Sequence, residues 1–356
     1  MSKILIEKLV HQGKGVGDLD GKKIFVPFAA PKDELEIKIT CDHGTFAEAE
    51  ILEVIKPGPG RIQPKCPVFG RCGGCQWQHL DYATQLKWKR KILIEALARI
   101  GKLGLAQDLE KIVEPTLASP KQWHYRNRIQ LHVNSQGRVG FYRPGSKEVV
   151  EFEQCFIADP ELNRRLNQER TEIAKRSKGI ALRLQEGPSF LQVNTLQNEH
   201  LKKTLLNWIK QIPHEQVLEL YAGSGNFTFD IAGIANQVIA SDIDGQAVEI
   251  AKQRMLQEKI SNLEFVREAA PKTVGRMAGN CDLVVLDPPR KGCAEVVDSI
   301  IKLKPKAIIY ISCDPATLAR DHRNLSDAGF QLKKCLPIDM FPQTFHIESM
   351  SLLLSK

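Results

Sequence analysis

The chain has 356 residues, of which 42% are apolar and 26% charged, and it carries a net charge of +8. That length gives two or three domains at roughly 150 residues each, and a globular balance of this kind excludes disordered and fibrous classes. The charge is concentrated: residues 61–150 hold sixteen basic and six acidic side chains, while 151–356 are balanced, which points to an anionic partner, most often nucleic acid, with a solvated surface as the alternative.

In chain order, residues 1–56 read as short strands, ILIEKLV, KKIFVPF, LEIKIT and FAEAEILEVI, broken by Gly13, Gly15, Gly17 and Gly21. This pattern suits a small β-barrel of the oligonucleotide-binding kind. The proline- and glycine-rich run 56-KPGPGRIQPKCP-67 reads as a boundary. Residues 81–100 place apolar side chains at helical spacing, with Lys87, Lys89, Arg90 and Lys91 interleaved. Residues 121–157 return to strand patterns, and 160–178 form a polar helix. From about residue 186 strands and helices alternate. Seven strand cores are expected, QVLEL, QVIAS, NLEFV, DLVVL, KAIIYIS, FQLKKC and SMSLLLS. That is a doubly wound α/β domain with a mainly parallel sheet. The last two strands are separated by only about a dozen residues, too few for a parallel crossover, so the final strand is expected to be antiparallel.

Nine cysteines are too few for a disulfide scaffold, and the odd count suits a reducing compartment. The N-terminus lacks the apolar stretch of a secretory signal, and no run of about 18 apolar residues suggests a membrane span. A cytoplasmic protein is expected. The cluster 66-CPVFGRCGGC-75 has the spacing C-x5-C-x2-C, with Cys155 as the next cysteine. Three close thiols and a distant fourth suit iron–sulfur or zinc, and the absence of two close pairs favours a [4Fe–4S] cluster. Cys41 is assigned to the barrel core, and Cys281, Cys293 and Cys335 to packing.

Four C-terminal motifs carry chemistry. In 216-QVLELYAGSGNF-227 a strand runs into Gly223 and Gly225, and a helix is expected from about Asn226. Asp242 ends the next strand, where a carboxylate accepts ribose hydroxyls. Thr228 stands where a dinucleotide fingerprint has its third glycine, which suits S-adenosylmethionine, a ligand without pyrophosphate. The run 286-LDPPR-290 places Asp287 at a strand tip; an aromatic after the prolines would signal amino-group methylation, and Arg290 stands there instead. Cys313, in 310-YISCDPATLARD-321, follows a strand and precedes a helix whose N-terminus is expected to lower its pKa. A thiolate there can add to carbon-6 of uracil and make carbon-5 nucleophilic. In 341-FPQTFHIES-349, Glu348 is the candidate base for the carbon-5 proton, with His346 competing. Each has a plainer reading: a tight turn, a rigid Pro-Pro, a buried thiol, a strand end.

Taken together these residues resemble the RNA (uracil-5-)-methyltransferase family, in its iron–sulfur branch with an N-terminal TRAM domain. The resemblance covers nearly the whole chain and includes 123-WHYRNRIQLHV-133, 140-GFYRPGS-146 and 190-FLQVN-194. It implies a Rossmann-like α/β methyltransferase domain with an OB-like β-barrel and a small α+β iron–sulfur central domain. The boundaries are 1–57, 58–185 and 186–356, with helix 81–100 a candidate to pack on the catalytic domain. It implies that Cys66, Cys72, Cys75 and Cys155 hold a [4Fe–4S] cluster. It further implies that Gln192, Tyr221, Asp242 and Asp287 bind S-adenosylmethionine with Gly223, Gly225 and Asn226 of the glycine loop. Cys313 would be the nucleophile and Glu348 the proton acceptor. Asp314 departs from the asparagine more usual after the cysteine, which bears on base recognition. The expected activity is formation of 5-methyluridine in structured RNA, 23S rRNA first and tRNA next, by a monomer. Arg126, Arg128, Arg138 and Arg143 are expected to help hold the RNA. The alternatives are cytosine-5 or amino-group methylation, or a non-catalytic RNA-binding assembly factor.

Overall fold

The computed structural model describes residues 2–103, 108–176, 181–185, 192–277 and 281–356. Phe190 and Leu191 of the FLQVN motif, and the end of the helix expected over 160–178, lie outside the described residues. The chain divides into two compact units. One comprises Met1–Ile92, Ser119–Leu196 and Phe341–His346; the other comprises Leu93–Ala118, Gln197–Met340 and Ile347–Lys356.

The first unit begins with a closed barrel of β1 (Ser2–Leu9), β2 (Gly15–Leu19), β3 (Lys22–Val26), β4 (Glu34–Asp42) and β5 (Phe46–Lys56). Alternate residues Ile4, Ile6, Ile24, Val26, Leu35 and Ile37 fill it, as period-two patterning requires. A parallel pairing of β3 with β5 closes the ring. The expectation for Cys41 fails: it is exposed. From Lys38 to Asp42 β4 is exposed on both faces, Ile39 included, so this end of the strand runs past the barrel core. After the barrel, Asp33 is fully buried and binds Arg61 through Nη2 at 2.6 Å and the Gly58 amide at 2.8 Å. The proline-rich run is thereby pinned to the barrel.

Helix α1 (Tyr82–Arg99) starts in the first unit; from Leu93 on it belongs to the second, where Leu93 and Leu97 join the core beside α2 (Leu109–Ile112). The first unit also holds a four-stranded antiparallel sheet in the order β8-β7-β6-β9. Its strands are β6 (Arg128–Val133), β7 (Val139–Tyr142), β8 (Val149–Glu151) and β9 (Ala181–Gln185), and α3 (Pro160–Arg176) precedes β9. Ile129, Leu131, Val133, Val139 and Leu184 bury one sheet face with Leu162 and Leu166 of α3.

The second unit resumes at Gln197, within α4 (Thr195–Ile209). It runs β10 (Gln216–Leu220), α5 (Thr228–Ala232), β11 (Gln237–Asp242), α6 (Gly245–Gln257), β12 (Leu263–Arg267), α7 (Ala270–Val274), β13 (Leu283–Leu286), α8 (Ala294–Leu303), β14 (Ala307–Ser312), α9 (Pro315–Asp327), β15 (Phe330–Ile338) and β16 (Glu348–Ser355). All seven expected strands are present. Their order is β12-β11-β10-β13-β14-β16-β15. Five pair in parallel, and β16 inserts antiparallel between β14 and β15. The central strands are buried on both faces and read as continuous apolar runs. The order reverses between β10 and β13, which puts the ligand crevice at the carboxyl ends of these strands. Among the described residues no helix is long and apolar enough to cross a membrane.

Candidate active site

The crevice is built from four strand ends of the second unit. The loop after β10 turns through three left-handed residues, Tyr221 (φ 62°), Gly223 (φ 57°) and Gly225 (φ 89°). At Gly225 a Cβ would also run into the Phe229 ring. The loop is held from β11: Asp242 accepts the Gly223 amide at 2.8 Å through one carboxylate oxygen and the Asp244 amide at 2.8 Å through the other. Each oxygen keeps a further lone pair for a ligand hydroxyl. Asn226 is fixed by a reciprocal pair with Asn198, at 2.9 and 3.0 Å. The Tyr221 hydroxyl donates to Glu295 at 3.1 Å. The helix expected near Asn226 starts at Thr228 and is five residues long.

Asp287 follows β13. Burial and the Asp242 carboxylate push its carboxyl up to about 7. Glu219, on β10, was not singled out from the sequence. Burial and the carboxylates of Asp287 and Asp230 push it up to about 8, against a lowering contact from Thr228. Its one signal was an acid inside an otherwise apolar strand.

Cys313 and Glu348 meet through strand register. β14 and β16 pair Ser312 with Ser349, and the Ser349 hydroxyl donates to the Ser312 carbonyl at 3.3 Å. Cys313 follows the first serine and Glu348 precedes the second, so the antiparallel pairing sets them opposite each other. The effect of the Glu348 carboxylate on the Cys313 thiol agrees. Burial, foremost, and the carboxylates of Glu348, Asp287 and Asp314 push the Cys313 thiol up to about 11, with Arg290 pulling the other way. The lowering expected from the helix N-terminus is overridden: the end of α9 is already capped by Asp314, which accepts the amides of Ala316 at 2.9 Å and Thr317 at 3.0 Å. Burial and Asp287 also raise Glu348 well above the carboxylate range, again opposed by Arg290. Asp287, Arg290, Cys313 and Glu348 thus form one electrostatic group.

Two expected site residues lie in the first unit. The backbone carbonyl of Gln192 accepts from Asn127 Nδ2 at 2.8 Å. His346 precedes β16 rather than lying in it, and packs with the rings of Phe341 and Phe345.

The first unit brings Cys66, Cys72, Cys75 and Cys155 around one cavity of about 150 Å³, lined also by Val68, Phe69, Phe141, Phe152 and Ile157. Burial pushes the Cys72 thiol up to about 11, with Cys155 and Cys66 adding to it. The Cys75 and Cys155 thiols are raised for the same first reason. Among the described residues no group of three or more His, Cys, Asp or Glu is set to hold a single metal ion.

Comparison with known proteins places this geometry. The profile of the tRNA (uracil-5-)-methyltransferase family matches residues 162–356, and that of the TRAM domain matches residues 2–52. The chain belongs to the tRNA (uracil-5-)-methyltransferase family. An uncharacterized RNA methyltransferase of Bdellovibrio bacteriovorus is 33% identical over 98% of this chain and 94% of its own. The 23S rRNA (uracil(1939)-C(5))-methyltransferase of Vibrio cholerae is 29% identical over 99% and 96%. Among solved structures, the tRNA (uracil-54, C5)-methyltransferase of Pyrococcus abyssi in complex with S-adenosyl-L-homocysteine superposes with a TM-score of 0.74 over 99% of this chain and all of that one, at 24% identity. That likeness shares the fold: a methyltransferase sheet with an N-terminal barrel. The family assignment makes the chain an S-adenosylmethionine-dependent RNA methyltransferase.

Proposed function

We propose that this enzyme methylates carbon-5 of a specific uridine in structured RNA through a covalent adduct on Cys313, with Glu348 as the base. The observation that carries the reading is the opposition of Cys313 and Glu348 across the β14–β16 register, beside Asp287. The target base has to leave its stack to reach both groups. Cys313 gives up its thiol proton to solvent, the thiolate Sγ bonds to carbon-6, and the electron pair of the carbon-5–carbon-6 double bond moves to carbon-5. Carbon-5 takes the sulfonium methyl, and S-adenosylhomocysteine leaves. Glu348, having released its own proton to solvent, accepts the carbon-5 proton as the carboxylate, the carbon-5–carbon-6 double bond reforms and the thiolate is expelled.

Tyr221, Gly223, Gly225, Asn226, Asp242 and Asp287 are the proposed cofactor contacts, with Gln192 added by family resemblance. Asp242 suits ribose hydroxyls, and the raised Asp287 carboxyl gains from a cationic sulfonium nearby. Cys66, Cys72, Cys75 and Cys155 are proposed to hold a [4Fe–4S] cluster. Burial first, and at Cys72, Cys75 and Cys155 also the neighbouring thiols, raise these pKa values, and metal coordination removes that cost by taking them as thiolates. They surround a cavity rather than a point, which suits an iron–sulfide cube better than one zinc ion.

The Vibrio relative makes 23S rRNA the first target to test and tRNA the second. A cytoplasmic monomer fits that role. The deciding experiment maps 5-methyluridine by mass spectrometry in rRNA and tRNA from a deletion strain, complemented with wild type and Cys313→Ala. One uridine losing its methyl group, restored by wild type alone, is the expected result. Restoration by Cys313→Ala would instead support amino-group methylation, which needs no thiol. An unchanged RNA methylation profile would support an assembly factor.

A further inference from the structure

One face of the four-stranded sheet takes no part in this chemistry. Residues that alternate with the core positions under α3 point to the opposite side. The register sets Arg128 opposite Gln185, Gln130 opposite Arg183, His132 opposite Gly140, and Tyr142 opposite Val149. Arg128, Gln130, His132, Tyr142 and Arg183 therefore share one layer. The His132 and Tyr142 rings stack with centroids 3.6 Å apart and planes 14° apart. Gln130 and Arg183 are exposed, and the other three are half-buried.

The charge of this layer is one-signed. Arg126 and Arg183 both act on Arg128, whose pKa is lowered first by burial and then by these two like charges. Among the described residues neither Arg128 nor Arg183 forms an ion pair, whereas Arg126 lines the cysteine cavity and acts on the Cys155 thiol. The acid on this face, Glu151, is engaged by Arg138 at 3.8 Å. At the Tyr142 end a groove of about 760 Å³ opens, lined by His132, Tyr142, Arg143, Lys147 and the two glycines of the cysteine loop, Gly73 and Gly74. The Gly73 amide donates to the Tyr142 carbonyl at 2.9 Å, and a Cβ on Gly73 would stand 2.8 Å from that oxygen. The glycine is therefore required for the loop to form the groove wall.

We infer that this face is a second RNA subsite, a stacking platform for a single-stranded segment of the substrate outside the target nucleotide. The His132–Tyr142 pair takes a base on its π-face, and Arg128 and Arg183 take the phosphates. Gathered guanidinium groups repel until an anion arrives, so the layer is arranged for a polyanion. Stacking on a side-chain ring requires a base free of its own helix, which selects single strand over duplex. The subsite rests on the reading of the chain as an RNA methyltransferase.

The test uses full-length Cys313→Ala protein, so that no turnover intervenes. Fluorescence anisotropy measures binding of a 12-nucleotide single-stranded oligouridine and of an RNA duplex of equal length. Added to that background, Tyr142→Ala and Arg183→Glu should each weaken the single strand about tenfold, and Arg183→Glu should lower the salt slope by about one. Tyr142→Phe, which keeps the ring, should bind like the parent. Melting temperature and affinity for S-adenosylhomocysteine should stay unchanged; if Tyr142→Ala fails to fold, Arg183→Glu at its exposed position decides. Parental affinity in the folded variants, or equal losses for strand and duplex, would overturn the platform. Should the wild type methylate no RNA while the face variants still weaken strand binding, the reading of the active site falls and the platform stands. Should it methylate RNA while the face variants keep parental affinity, the platform alone falls.

Discussion

In the proposed cofactor site, Asp287 is the group at which a proton and a cation compete. Its carboxyl titrates near 7 because burial and Asp242 disfavour its charge. A bound sulfonium favours that charge, so binding releases a proton. Affinity for S-adenosylmethionine should therefore rise as pH passes from 6 to 8, by up to about tenfold, and level off above the pKa. Calorimetry in buffers of different ionisation heat reads both the affinity and the released proton. Asp287→Asn should bind more weakly and lose the pH dependence; an unchanged slope would remove Asp287 from the site. Glu348 offers a second residue-level prediction. Without a base, carbon-5 keeps its proton after methyl transfer and the thiol cannot be expelled. Glu348→Gln should lower turnover by at least about 10²-fold and accumulate RNA bonded to Cys313 that survives a denaturing gel. Cys313→Ala should abolish that band. Loss of turnover without an adduct would refute the role given to Glu348. A third concerns Glu219, whose raised pKa means that the folded state holds a proton the unfolded state has released between about 4.5 and 8. Stability is lost as pH rises through that window. Glu219→Gln should raise the melting temperature at pH 8 by roughly 2–6 °C and change it little at pH 5.

At the scale of elements, α9 explains a departure in the sequence. Asp314 takes the first two free amides of the helix with one oxygen. Asp314→Ala should destabilise the protein by about 1 kcal/mol, whereas Asp314→Asn, which caps equally well, should be near neutral; thermal unfolding compares them. The same element marks a limit of the sequence reading. Position after a strand and before a helix was legible, and so was the nucleophile candidate. The direction of the thiol's pKa was not, because it depends on Glu348, thirty-five residues on, and on an amide terminus already occupied by Asp314. The antiparallel final strand was legible, since too few residues separate FQLKKC from SMSLLLS for a crossover. Cys41 was not, since the alternation continues through Ile39 although the strand end from Lys38 to Asp42 has already left the core. Glu219 escaped because an acid in an apolar strand signals only once its buried neighbours are known.

At the scale of the whole molecule, the charge and the cysteines divide between the units. The basic stretch 61–150 supplies Arg128 of the sheet face and Arg126 beside the cysteine cavity, while Arg138 and Arg143 are engaged with Glu151 and Glu148. Four cysteines line the cavity of the first unit; Cys281, Cys293 and Cys335 are buried in the second, where Cys313 lies at the crevice. Protein purified without oxygen should be brown, with broad absorbance near about 400 nm and about four irons per chain. Cys155→Ala should lose the colour. Colourless protein with one zinc would refute the cluster.

The β14–β16 register has a consequence for how this enzyme tolerates change. Separation of thiol and base is written into hydrogen-bonded rungs, and β16 is locked by rungs on both sides. A one-residue slip would send Glu348 to the far face of the sheet. The connector between β15 and β16 is tied down as well: Phe341–His346 belong to the first unit, where the Gln343 carbonyl accepts the amides of Gln76 and Trp77, its side chain and its own amide pair with the Gln85 side chain, and the Pro342 carbonyl accepts from the Tyr125 hydroxyl. Insertions there would break these bonds even with the rungs intact, so thiol and base are held in step by a stretch that tolerates little change in length.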